Sequence, residues 1–184
     1  FLALDNLLQM LYDAYSKTGQ FAKAEKVYDL IQRLKPETSA LLQHAEDVQE
    51  ANFCALQDPC IGANENLTRF LEAYAQNAKS VNKAKTLNAF LPGAGYYYIG
   101  QKNTAITAFI VNSLFIAAAY YFFDQGNWAA GAITTSLEMG WYLGGINGAG
   151  LGAKEYNEHL YEGLAKDYLI KEHLFPVLRF ETSF

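Results

Sequence analysis

Two hydrophobic patterns divide the chain. From Phe1 to about Lys85, apolar residues return every three or four positions among charges, the spacing of helices with one buried face. Leu7, Leu8, Leu11, Tyr12 and Tyr15 follow it, as do Ala24, Val27, Tyr28, Ile31 and Leu34, with Gly19 as the turn between the two sets. Ser39–Gln57 and Glu65–Lys85 predict further helices. The pattern then changes. Thr104–Phe123 gives twenty consecutive uncharged residues, and Trp128–Gly150 a second run of twenty-three that only Glu138 interrupts. Asp124-Gln125-Gly126-Asn127 between them has the composition of a helix stop and restart. Helical spacing returns at Tyr156, Leu160, Tyr161, Leu164, Tyr168 and Leu169, with Lys154, Lys166 and Lys171 among them, and Pro176 closes it. Val177–Phe184 alternates weakly, as a short strand or an extended tail does.

The expected fold is therefore all-α. A helical-repeat region covers 1–85, a Pro/Gly/Tyr lead-in 86–103, a helical hairpin 104–153 (spans 104–123 and 128–150), and an amphipathic helix and tail 154–184. Because Phe1 runs directly into helical periodicity without an initiator Met, a processed or trimmed chain is expected.

Composition makes the hairpin a membrane feature. Between Asn103 and Ala153 there is no Lys or Arg, and Asp124 and Glu138 are the only acids, so all fourteen basic residues lie elsewhere. Twenty residues at ~1.5 Å each cross the ~30 Å hydrocarbon core of a bilayer. Tyr96, Tyr97 and Tyr98 stand before one end, and Tyr120, Tyr121 and Trp128 at the other, as aromatic rings do at a membrane interface. The competing expectation is a buried hairpin inside a soluble protein.

Gly140, Gly144, Gly148 and Gly152 recur every four residues along the second span, widened by Gly145 and Gly150. In lipid, small residues let helix backbones approach closely, so this stripe predicts a seat for the first span or for a second copy. Glu138 falls at mid-span at about the depth of Asn112, so the two are expected to pair. Such a pair either sets the register of two helices or belongs to a proton or cation path, for which Ser113, Thr135, Ser136 and Asn147 provide only a thin chain.

The lead-in LPGAGYYYIGQ breaks helix at Pro92, Gly93 and Gly95. It is no phosphate loop, since Gln101 stands where the lysine belongs and Lys102 comes one residue late. Followed by two apolar helices, it resembles a bacterial membrane-hairpin group with an LPGxGxxYxG-type motif, similar in layout to TM2-type domains, over roughly Leu87 to Asn157. Tyr96 departs from the glutamine expected there. The resemblance implies membrane residence and no chemistry.

Asn6–Leu34 followed by Lys35-Pro36 resembles one tetratricopeptide repeat. Leu8 and Leu11 take the Trp and Leu places, Tyr15 the Tyr place, Gly19 the turn, Ala24 the small residue, Tyr28 the aromatic and Pro36 the closing proline. Tyr12 departs, standing where a small residue normally lets the helices touch. Stacked repeats of this kind offer concave surfaces to proteins or peptides, while a single one cannot bury its own face. The plainer expectation is a helical spacer.

Chemistry is sparse. The 184 residues carry a net charge of −5, against a general nucleic-acid binder, and 15% aromatics argue against disorder. His44, His159 and His173 form no metal motif, Glu155 and His159 form a surface pair, and no nucleophile elbow occurs, so no enzyme activity, metal or cofactor is expected. Cys54 and Cys60 flank Asp58-Pro59 as a disulfide or as two inert thiols. Asn66-Leu67-Thr68 matches a glycosylation sequon. Lys79, Lys83, Lys85, Lys102 and Lys154 flank the hairpin's open end and favour a cytoplasmic polar half, whereas the cysteine pair favours an exported one. These features together lead us to expect an integral adaptor or accessory subunit, multi-pass in the bacterial inner membrane. Its expected partners are other membrane or envelope proteins, the lipid bilayer and a homo-oligomer, with no nucleic acid. The alternative is a small transport or channel component using Glu138 and Asn112.

Overall fold

A computed structural model describes residues 2–57, 64–172 and 174. Among these the chain is helical throughout, without a strand. The helices are α1 (Leu2–Lys17), α2 (Phe21–Leu34), α3 (Pro36–Gln49), α4 (Phe53–Leu56), α5 (Glu65–Asn77), α6 (Val81–Phe90), α7 (Ala94–Tyr98), α8 (Lys102–Asp124) and α9 (Trp128–Lys171). They form two units: Phe1–Ala73 with Glu162–Phe184, and Tyr74–Tyr161. The division falls at 73/74 and not at the expected 85/86, because α6 is tied into the second unit. Asn157 of α9 accepts from Lys79 N at 2.7 Å and donates to Lys79 O at 2.9 Å.

In the first unit α1 and α2 form the expected helical hairpin, turning at Gly19, whose φ of +72° suits a residue without Cβ. Ala24, Val27 and Ile31 of α2 are buried, and so are Ala45 and Val48 of α3. Two expected repeat-core positions are not core: Leu11 is exposed and Leu8 half-exposed. Pro36 closes the repeat and also opens α3, at a position where its missing N–H is no loss. Ala51, at φ +54°, ends the expected 39–57 stretch early, and Asn52 caps the short α4 by accepting from Ala55 N. Leu67 and Phe70 of α5 complete this core with Ala165, Tyr168 and Leu169 of α9.

The second unit packs on small residues. Ala84, Ala149 and Ala153 are fully buried, and Gly95 sits so tightly that a Cβ there overlaps the Ala84 carbonyl. Gly93 at φ +94° ends α6 and starts α7, held by Asn88 Oδ1, which accepts from Gly93 N at 2.9 Å. α8 and α9 double back through Gly126; Phe123 and Trp128 pack at 5.5 Å, and a Cβ on Gly131 lies 2.6 Å from the Phe123 ring.

The C-terminal region differs from expectation. No break separates a second span from an amphipathic helix at 154, because α9 continues for 44 residues to Lys171. Its glycine-rich stretch stays helical where α6 and α7 cover it, Gly150 against the Lys85 stem and Gly152 against Ile99. At ~1.5 Å per residue this helix runs to ~66 Å, about twice a bilayer core. Pro176 and the alternating 177–184 segment lie outside the described residues.

Candidate functional site

Each unit presents one surface with functional character. In the first, α1, α2 and α3 enclose an open groove of about 670 Å³ whose walls include Tyr12, Phe21 and Tyr28. Asp13, Glu25, Glu46 and Glu50 surround it against Lys17, the one cation among the described residues that line it, itself paired with Asp13 at 2.7 Å. Tyr12, out of place in a tetratricopeptide consensus, packs on Tyr28 at 5.8 Å and donates its hydroxyl to the Glu46 carboxylate. Burial, reinforced by that carboxylate, pushes its phenol up to about 12. Tyr15 and Ala24 flank this wall, and Lys23 sits 5.4 Å over the Tyr15 ring. The surface fits an apolar segment carrying positive charge. Nothing in the α1–α2 pattern alone identifies Glu46, which arrives from α3.

Behind that groove His44, Phe70 and Tyr168 form an aromatic cluster. His44 Nε2 lies 2.8 Å from the Tyr168 hydroxyl, and Phe70 stacks on Tyr168 at 5.5 Å. Burial and the nearby Glu172 push the Tyr168 phenol up to about 12, so it keeps its proton. His44 Nδ1 is buried without a hydrogen-bond partner. Burial holds the His44 pKa below its usual value, with Asp47 and Glu172 opposing.

The second unit shows an apolar exterior. Ile106, Phe109, Ile110, Leu114 and Ile116 of α8 are 50–63% exposed, as are Ile133, Leu137, Met139, Trp141 and Leu143 of α9, 52–63%. Among the described residues only α8 is long and apolar enough to cross a membrane. The first half of α9, expected as the second span, is diluted by Gly, Thr, Ser and Asn and does not reach that composition. At the open end Lys79 and Lys83 sit 5.3 and 5.0 Å over the Tyr98 ring, and Tyr98 Oη accepts from Ser80 N at 3.1 Å. Burial raises the Tyr96 pKa.

The glycine stripe divides. Gly148 meets the Tyr96 hydroxyl and Gly152 meets Ile99, so this end seats α7 rather than the first span. A Cβ at Gly140 or Gly144 meets nothing within 4 Å. Both line a groove of about 660 Å³ between α8 and α9, with Thr104, Thr107, Asn112 and Trp141. The expected Asn112–Glu138 pairing does not form. Asn112 Nδ2 instead donates 2.6 Å to the Ala108 carbonyl one turn back, and Asn112 Oδ1 and Glu138 Oε2 are buried without partners. Within its own helix the amide finds an acceptor one turn back.

The remaining candidates stay separate. Cys54 is an exposed free thiol on α4, and Cys60 lies outside the described residues, as does His173. Asn66 of the sequon is on α5 and donates 2.6 Å to Glu172. Glu155 and His159 are an exposed pair 4.0 Å apart. No metal-ligating cluster of His, Cys, Asp and Glu occurs among the described residues. Asn88 and Asn157, the two amides that tie down α6, carry no sequence signal beyond being polar within apolar surroundings. Comparison with family models, curated proteins and solved structures returns no match for this chain.

Proposed function

We propose that the protein is an integral-membrane adaptor. Its second unit is held in the bilayer by α8 with the first half of α9 beside it, and its tetratricopeptide-like α1–α3 groove binds a cationic, apolar segment of a partner in a membrane or envelope assembly. The observation that carries this reading is the outward aim of the large side chains of α8. Only 11% of its most apolar stretch is buried. A soluble protein covers such a helix; hydrocarbon makes covering unnecessary. The repeat resemblance and the acidic groove support the partner half.

The alternative, transport through Glu138 and Asn112, draws on their unpartnered oxygens. It lacks a relay, because the hydroxyls of Ser113, Thr134, Thr135 and Ser136 each donate to a carbonyl one turn back in their own helix. Separating soluble from membrane fractions after alkaline extraction tests the anchor: the chain is expected to stay with lipid until detergent is added, and quantitative release sinks the reading. Glu46→Lys is expected to abolish capture of partners while leaving the chain in the membrane. Glu138→Gln distinguishes the alternative, since it removes flux only if the carboxyl moves protons.

A further inference from the structure

The acidic groove of the first unit has one wall residue from outside α1–α3. Leu174, half-buried, lines it together with Tyr12, Phe21 and Leu42. The Leu174 N–H donates to the Leu169 carbonyl at 2.9 Å, a bond spanning five residues that closes the end of α9 and fixes where the chain leaves it. The segment that follows, 175–184, lies outside the described residues, and it starts at this wall. It reads FPVLRFETSF, with Arg179 as its one cation between Leu178 and Phe180.

The groove offers what that segment carries. Phe21 in its wall is 72% exposed. Of its four acids, Asp13 is paired with Lys17 and Glu46 accepts from Tyr12. Glu25 and Glu50 are exposed, with no cation beside them among the described residues. An extended chain advances ~3.4 Å per residue, so Arg179 stands within ~17 Å of Leu174 and within reach of these carboxylates. A guanidinium matches carboxylates in shape as well as charge, and its apolar neighbours match the aromatic wall. The tether decides between this segment and the same segment of a second copy. A short linker holds its end at an effective concentration on the order of 1 mM, far above that of another chain.

We propose that the groove is occupied at rest by the chain's own residues 175–180, with Arg179 among Asp13, Glu25, Glu46 and Glu50. A partner's cationic segment gains the site by displacing this tail. The proposal deepens the partner-binding reading above and rests on it.

The probe is a fluorescein-labelled peptide of residues 174–184, titrated by anisotropy against the full chain in mild-detergent micelles. Leu178→Asp combined with Arg179→Glu makes the tail unfit for the groove and leaves the groove itself intact. An affinity of ~100 µM against a tether of ~1 mM leaves about one groove in eleven open. The peptide is therefore expected to bind the tail variant at least about tenfold more tightly than the parent. Glu46→Lys added to the tail variant is expected to abolish that binding, which separates the groove from partition into the micelle. Glu25→Gln added instead spares the Tyr12 contact and is expected to weaken binding about threefold. Equal binding to parent and tail variant overturns the proposal, since the groove is then open at rest. Absence of binding to the tail variant overturns it as well, because the groove does not take this segment. A parent that sediments as a dimer where the tail variant is monomeric overturns it in favour of a second copy's tail. The partner-binding reading is decided separately, by whether Glu46→Lys loses partner capture.

Discussion

The two units sort their residues by different rules. In the first, large apolar side chains are inside: Val48, Ile31, Phe70, Tyr168 and Leu169 are each no more than 5% exposed. In the second, the innermost positions belong to Ala84, Ala149, Ala153, Gly95 and Ile99, while Ile106, Phe109, Leu114, Leu137 and Trp141 face outward. The first unit separates apolar from polar, as water demands. The second separates small from large, with small residues where its helices approach closely.

The contrast can be broken by truncating one leucine of each kind. Leu169→Ala is expected to destabilise the first unit by about 2–5 kcal/mol. Leu114→Ala, at a site 63% exposed, is expected to leave thermal unfolding in detergent unchanged. Equal losses would make α8 an ordinary core helix. Charge sharpens the same contrast: Leu114→Arg is expected to cost about 2.5–3.5 kcal/mol of membrane insertion, read as the fraction resisting alkaline extraction. Leu41→Arg, similarly exposed on α3, stays within about 0.5 kcal/mol by thermal unfolding. Within the second unit, Gly95→Ala drives a methyl into the Ala84 carbonyl and is expected to cost about 1–3 kcal/mol, whereas Gly140→Ala meets open space and costs nothing. Melting in detergent reads both, and equal behaviour removes the distinction between the packed and open ends of the stripe.

The smallest effect is a pH dependence confined to the first unit. His44 titrates lower folded than unfolded, so the unfolded chain binds the extra proton. The contribution of this cluster is complete above the ordinary histidine pKa and is lost as pH falls below it. His44→Gln is expected to flatten the melting temperature over that acidic window. A parent and variant that melt in parallel would remove His44 as the cause.

Much of this was legible in one dimension. The helix pair around Gly19, the charge-free block and the turn at Gly126 follow from spacing and composition, which act locally. The unbroken α9 was not legible, because the charges that return at Lys154 read as the end of the hairpin, whereas the helix runs on without a break to Lys171. Nor was the silence between Asn112 and Glu138: equal depth is necessary for a hydrogen bond but does not secure one, and the amide donates to the Ala108 carbonyl one turn back. Glu46 entered the α1–α2 groove from a third helix, a contact no periodicity within α1 or α2 contains.

What the sequence by itself determined is which stretches are helical and that Thr104–Phe123 is apolar over the length of a span, since both are set by residues within one or two turns of each other. Only the tertiary structure decided which glycines of the stripe are occupied, which amides are left without partners, and that the last turns of α9 join the N-terminal core. Those outcomes depend on which backbones come within van der Waals distance, and residues far apart in the chain set that jointly.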